Sequence, residues 1–275
     1  MPIITISREM GTGGIPIAQK AAEKLGYTLL DGETIEKAAK NYGLTPESIK
    51  KADEKPPPFE AKLDKQVEFD LLQIELLVLD FALKGNVIIY GRGGQYLLEN
   101  IKSVLRVRII APFEERVERW AEREWLDPDL ARTMVRKCDQ QRAGFIKYYF
   151  DREWDNPLDY DIVINTSRIA LETAVGWICQ GVKDLNLLGL KAESKALIAD
   201  LIIQKKIEIA NLSHPGLDGH HLEVSSKNGI VTLGGHVHSE EEHAQVLALT
   251  EGVEGIKKII DKIKLKPFRY SPYEP

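Results

Sequence analysis

Histidine is missing from most of this 275-residue chain: all six lie between His214 and His243, so any chemistry in the first 190 residues proceeds without imidazole. Cysteine is scarce too. Cys138 and Cys179 lie far apart in sequence, which excludes a disulfide framework and a Cys-x-x-Cys metal pair and suits a reducing cytoplasm. No basic segment followed by an apolar core opens the sequence, and a strand begins at once, so no signal peptide is expected. The longest apolar stretch, Leu71 to Leu83, is interrupted by Gln73, Glu75 and Asp80. It is too short and too charged to span a bilayer. Positive charge is not in excess either, with Lys+Arg 37 against Asp+Glu 42 and a net charge of -5. That balance argues against a general nucleic-acid surface.

What is present is organised around the first 27 residues. Ile3, Ile4, Thr5 and Ile6 read as a buried strand, the chain breaks into Gly11-Thr12-Gly13-Gly14, and an apolar-periodic helix is expected from Pro16, with Ile17, Ala18, Ala21, Ala22 and Leu25 facing inward. Pro16 suits a first helical position, where its missing N–H is not needed. A strand, a glycine turn and a helix N-terminus in succession bring backbone N–H groups together on an anion. The pattern nevertheless departs from the nucleotide-binding loop G-x-x-x-x-G-K-[ST]. With Gly13 as the second glycine, Arg8 stands in place of the first, Gly14 replaces the lysine and Ile15 the hydroxyl. The turn also reads as a plain βα connection.

Further along, Thr28 to Asp31 is a short strand ending in a carboxylate. Asp31 sits where ligands bind in α/β sheets, and it fits equally well as the N-cap of a helix over 33–41. Residues 44–65, polar and carrying Pro56-Pro57-Pro58, are expected to form a surface excursion. A helix over 66–84 leads to the strand Asn86–Tyr90 and a second glycine turn, Gly91-Arg92-Gly93-Gly94. A guanidinium beside close-approach backbone suits a phosphate monoester, although the turn also reads as one with a solvated arginine. After a strand over Val104–Ile110 comes an arginine-rich helical region. There Arg132, Arg136, Asp139 and Arg142 recur at helical spacing, either to close over phosphates or as a salt-bridged solvent face. A strand over 160–165 and a helix over 169–185 follow. Short buried strands alternating with helices predict a parallel sheet covered by helices.

Three segments in this order, ITISREMGTGGIPIAQKAAEKLGY, VIIYGRGG, and Asp139-x-x-Arg142 followed by YDIVINTS, resemble the cytidylate kinase-like family, relatives of the nucleoside monophosphate kinases. The resemblance covers roughly residues 1–185. It implies a P-loop kinase fold, ATP and Mg²⁺ as cofactors, and CMP or dCMP as phosphoryl acceptor. Residue by residue, it implies that Gly11, Thr12, Gly13 and Gly14 cradle donor phosphates with Ser7 and Arg8 as lead-in. Asp31, Gly91 and Arg92 would bind the acceptor, and Arg123, Asp139 and Arg142 would act from a lid. Family members resemble SRE-x-GSGGRE-IA, where an arginine after the glycine pair substitutes for the usual lysine. Here that cation is replaced by Ile15, so catalysis is expected to be weakened, or binding to have outlived it.

The last third reads as a separate αββαβ unit. After a joint over 184–191 come a helix over 193–209, strands over 221–225 and 229–233 around Asn228-Gly229, a strong hairpin signal, a helix over 240–250 and a strand over 256–265. GIVTLGGHV followed by EGVEGIKKIIDKIKL resembles a BON domain, a module associated with membrane surfaces or small ligands. The expected domains are therefore 1–186, kinase-like, and 193–266, BON-like. In place of an enzyme, the pair would serve as a nucleotide sensor, or as an adaptor that docks through the BON-like unit. His236 and His238 face the same way on a strand, near His220, His221 and His243. A metal site would need matching ligand geometry; they read more simply as solvated loop and edge residues, and no metal ligands are assigned.

Overall fold

Ile3, Ile4 and Ile6 are at most 1% exposed because the strand that carries them is the middle of a sheet covered on both faces. In the computed structural model, which describes residues 2–51, 53–56, 65–184, 191–217 and 221–266, β1 (Ile3–Arg8) is followed by α1 (Gly14–Leu25), β2 (Thr28–Leu30) and α2 (Gly32–Ala38). Then come α3 (Pro46–Lys51), α4 (Lys65–Lys84), β3 (Val87–Tyr90), α5 (Gly94–Leu97) and β4 (Val104–Ile110). The long pair α6 (Phe113–Glu124) and α7 (Pro128–Phe150) precedes β5 (Ile162–Asn165) and α8 (Leu171–Gly181). The five strands are all parallel, in the order β2-β3-β1-β4-β5. One face packs on α1 and α8 through Ile17, Ala21, Ala174 and Ile178, the other on α4 through Ile74, Leu77 and Val78.

This strand order fixes where a ligand can sit. The chain leaves β1 on one side to form β2 and β3, then crosses to the other side for β4, which opens a crevice beyond the carboxyl end of β1. Ile6 is in register with Tyr90, and the Gly91 N–H donates to the Ile6 carbonyl at 3.0 Å. The two glycine turns therefore leave adjacent strands side by side.

Two expectations are corrected. The helix α1 begins at Gly14, capped by Gly13 at φ 75°, so Pro16 is its third residue. The position is tolerated because no N–H in the first turn has an intrahelical acceptor. The polar stretch after Tyr42 also contains a helix, α3, started by Pro46 and by a Thr45 hydroxyl that accepts from the Ser48 N–H at 3.1 Å. It buries Leu44 and Ile49 in the core above α4.

The second unit comprises α9 (Lys191–Ser213), β6 (Leu222–Lys227), β7 (Ile230–Val237), α10 (Glu240–Glu251), β8 (Lys258–Asp261) and β9 (Lys264–Leu265). Asn228 and Gly229, at φ 54° and 78°, make the turn between β6 and β7, and the Asp200 carboxylate on α9 accepts from both of their N–H groups. The single last strand expected over 256–265 is instead two, because β7 bends at Gly235 (φ 85°). Its first half pairs with β8 and its last two residues with β9.

Both cores share α9. Ile198 and Ile202 pack with α4 and the sheet, whereas Ile203 and Ile207, each about 140° further round the helix, pack with β7 and α10. The ion pair of Lys205 with Glu75, at 2.9 Å, joins the same two helices. All four tryptophans precede residue 178, so their fluorescence reports the first unit alone. Ile198→Ala is expected to lower the urea midpoint followed by tryptophan emission, at a cost of about 2–5 kcal/mol typical of such truncations. An unchanged midpoint would mean that α9 is not part of that core.

Candidate active site

The turn after β1 opens onto a cavity of about 610 Å³ that also reaches Arg92, α3 and α6. Its floor is Gly11 to Pro16, whose early amides stand at the positive end of α1. Six cationic side chains (Arg8, Lys50, Arg92, Arg119, Arg123 and Arg142) line it against four carboxylates (Glu9, Glu36, Asp53 and Glu54). The surplus is positive although the whole chain is acidic.

Glu54 holds the densest part of this field. Its carboxylate meets Nη1 of Arg8 at 2.6 Å and Nε of Arg142 at 3.4 Å, and accepts from the Arg92 N–H at 2.6 Å. Only 12% of the Arg8 and Glu54 side chains is exposed. Burial pushes the Glu54 carboxyl up, but Arg8, Arg142 and Arg92 outweigh it and hold the group down at about 2. Arg8 also lies 4.3 Å over the ring of Tyr90, with burial opposing and Glu54 supporting its charge. The approach is so close that a side chain at Gly91, where φ is 80°, would overlap both the Glu54 carboxylate and the Arg8 guanidinium. Cys138 lines the same space, and burial pushes its thiol up, away from the thiolate form.

The front of the turn is clamped from α6 and α7. Asp139 accepts from the Met10 N–H at 2.8 Å and from Arg116 at 2.6 Å, while Arg116 also donates to the Met10 and Ala111 carbonyls. From the side, Thr166 donates to the Thr12 carbonyl at 2.9 Å and accepts from Arg119 at 3.1 Å. Arg123 sits 4.8 Å over Trp120, which also lines the cavity and whose buried indole N–H has no partner among the described residues. The arrangement can fix a polyphosphate on backbone amides and a second phosphate on the Arg8, Arg92 and Arg142 cluster.

A profile of the cytidylate kinase-like family matches residues 3–168, and one of the BON domain matches residues 199–267. The chain belongs to the cytidylate kinase-like family. It is 27% identical over 193 residues to the cytidylate kinase of Haloarcula marismortui, a match covering 70% of this chain and 91% of that protein. With the cytidylate kinase of Methanocaldococcus jannaschii it shares 29% over 189 residues, covering 66% and 98%. Among solved structures, an uncharacterized protein from Eubacterium ventriosum has the same fold, with a TM-score of 0.54 and 22% identity over 67% of this chain and 99% of that one. This is a family of phosphotransferases.

Within this cytidylate kinase-like protein, the residues singled out from sequence take different places. Arg8, Gly11, Thr12, Gly13, Gly14, Arg92, Arg123 and Arg142 all line the one cavity. Ser7 does not; it is buried and its hydroxyl accepts from the Trp154 indole N–H at 2.9 Å. Asp31 caps α2, accepting from the Thr34 N–H at 3.0 Å, and its neighbours Gly32 and Glu36 line the cavity instead. Asp139 acts through Met10 and Arg116, as a positioning residue rather than a lining one. The expected arginine face of α7 splits. Arg132 makes a bidentate pair with Glu114, Arg136 lies 5.3 Å over Phe113, and Arg142 alone of the three lines the cavity. No local pattern marks Glu54, Arg116, Arg119, Trp120 or Thr166 as site residues. Only the odd placement of an arginine at Arg8 hinted that a buried counter-charge was needed.

Because the Glu54 carboxyl is depressed when folded, its stabilisation is complete above its ordinary value of about 4.5. It is lost as pH falls from there through about 2. Glu54→Gln should therefore unfold at lower urea than the parent at pH 7, by roughly 3 kcal/mol. The gap should narrow as pH drops below about 4.5. A gap that is independent of pH would show that the carboxylate charge is not what the arginines require.

Proposed function

We propose that this protein is an ATP-dependent nucleoside monophosphate kinase that transfers the γ-phosphoryl group to CMP or dCMP. The observation that carries the proposal is the convergence of Arg8, Arg142 and the Arg92 N–H on one carboxylate beside an amide-lined turn. Those donors suit a phosphate monoester as well as they suit Glu54, because guanidinium binds either oxyanion in the same geometry. Two anions cannot share them, so acceptor binding displaces the Glu54 side chain.

In this reading the α1 amides hold the β- and γ-phosphates, Arg8 and Arg142 hold the acceptor phosphate, and Arg119 and Arg123 approach from α6. An acceptor phosphate oxygen attacks the γ-phosphorus, that P–O bond forms, and the bond to the bridging β,γ-oxygen breaks, so that ADP leaves with the electron pair. No imidazole is needed, since phosphoryl transfer depends on positioning and charge neutralisation. The turn itself does not fit a protein-bound Mg²⁺. Ile15 stands at the usual hydroxyl position, and the Thr12 hydroxyl donates to the Glu9 carbonyl at 2.9 Å. The metal is therefore taken as part of the substrate, MgATP.

A coupled assay with MgATP and CMP, dCMP, UMP or AMP, run beside calorimetry with the same nucleotides, tests the reading. Turnover with the cytidine nucleotides is expected. Tight binding without turnover would favour a nucleotide sensor, and neither would leave the BON-like unit as the working part. If the missing cation limits the rate, Ile15→Arg should raise kcat by up to about 10²–10³, the worth of one transition-state donor. No change would mean that Arg119 or Arg123 already does that work.

A further inference from the structure

The open end of the β6–β7 hairpin gathers three imidazoles. Leu222 pairs with Gly235, so the antiparallel register carries His221 opposite His236, and His238 lies two residues on, just past the end of β7. Gly235 is what permits this. At φ 85° it lies so close to the His221 carbonyl that a Cβ would collide with it, and only glycine lets the two strands meet there. The His221 and His236 rings are stacked with centroids 4.5 Å apart, and His238 stands edge-on to them at 5.9 and 5.5 Å.

We propose that His221, His236 and His238 bind one divalent transition-metal ion of zinc's class. One ring nitrogen from each lies within 4.8 Å of the others. Tetrahedral ligation at about 2.1 Å per Zn–N bond brings such nitrogens to about 3.4 Å, so the set has only a short distance to close. The donors are all imidazole, which selects zinc, copper or nickel over magnesium or calcium. His238 is already oriented as a ligand is in known sites. Its Nδ1 lies 2.8 Å from the Lys266 carbonyl, the kind of outer contact that orients a ligating imidazole. His221 is exposed and the other two are half-buried, so the ion would keep an open position for water or for a group on a second molecule. His243 is not part of the set, since its Nε2 pairs with Asp261 at 2.8 Å, and His220 lies outside the described residues. This assignment reverses the solvated-edge reading of His236 and His238, because the hairpin register sets His221 directly across from His236. It stands apart from the kinase-like cavity and does not depend on the activity proposed there.

The test is titration of the untagged full-length chain with Zn²⁺ by calorimetry, repeated with Co²⁺ while its visible absorption is recorded. One equivalent of ion per chain and a ligand-field band for Co²⁺ that Zn²⁺ abolishes are expected. His236→Ala and His238→Ala should each weaken Zn²⁺ binding by more than about 100-fold, beyond the loss of a supporting hydrogen bond alone. His243→Ala should bind as the parent does. Far-UV circular dichroism melts of the metal-free variants, which follow both units where tryptophan emission follows only the first, should match the parent, and this separates a lost ligand from a lost fold. Absence of stoichiometric binding by the parent, or parental affinity in the His236→Ala and His238→Ala chains, would overturn the proposal.

Discussion

Arg8 and Glu54 face each other at 2.6 Å in surroundings that leave little of either side chain in water, and much of the site follows from keeping that pair compensated. A buried guanidinium without a counter-charge is costly, by several kcal/mol even after relaxation. Arg8 ends the central strand of the sheet, where only 12% of its side chain is exposed. The pair therefore draws in Arg142 from α7 and the Arg92 amide from the turn after β3, and it requires glycine at position 91. Three segments remote in sequence are thereby held around one anion position. An anion position so well supplied with donors is also one that another anion can take over, and this links the stability of the fold to the chemistry proposed for it.

The elements that hold this site were legible because their periods are strong. The strand over Val104–Ile110 appears with its expected bounds, and Asn228-Gly229 makes the turn that the dipeptide announces. Failures came where position depends on a distant partner. Glu54 lies in a polar, proline-rich stretch, and nothing local distinguishes it from its neighbours. Its importance comes from Arg8, 46 residues away. Helical spacing correctly put Arg132 and Arg142 on one helix, but ten residues at 100° each leave them about 80° apart. One therefore turns toward Glu114 on α6 while the other reaches the end of β1. Asp31 shows a different limit, since a strand-end carboxylate and an N-cap share the same sequence signal and only the Thr34 amide decides between them.

The two units are joined by more than a covalent connection. A helix that is apolar on two sides has to be covered on both, and α9 is covered by α4 on one and by β7 and α10 on the other. Its Asp200 also fixes the β6–β7 turn. The BON-like unit thus shares its first helix with the kinase-like core, and neither core is complete without it. A ligand on the hairpin can influence the kinase-like cavity through a displacement of α9 or of the Lys65 contact to the Leu217 carbonyl, because energetic coupling needs an element with two arrangements that both sites bias. A helix packed into two cores resists small displacements, so the default expectation is two sites that function side by side with little coupling.

The absent lysine has a structural counterpart in α6 and α7. In a turn that carries its own cation, the charge is held by the residues that hold the phosphates. Here the charges come from helices clamped onto the turn, by Asp139 through Met10 and by Thr166 through Thr12. The clamping limits what each arginine can do. Arg116 is fully engaged with Asp139 and two carbonyls, and Arg119 donates to Thr166 and Glu115. Arg123, with 63% of its side chain exposed, has as its described partners only Glu124 and Trp120 on its own helix. It is the cation with freedom to follow a transferring phosphoryl group, and ordering so exposed a side chain costs up to about 2 kcal/mol of conformational entropy. Under the activity proposed above, a turn built this way would hold phosphate firmly and neutralise the transition state less well, so the missing cation would weigh more on kcat than on affinity.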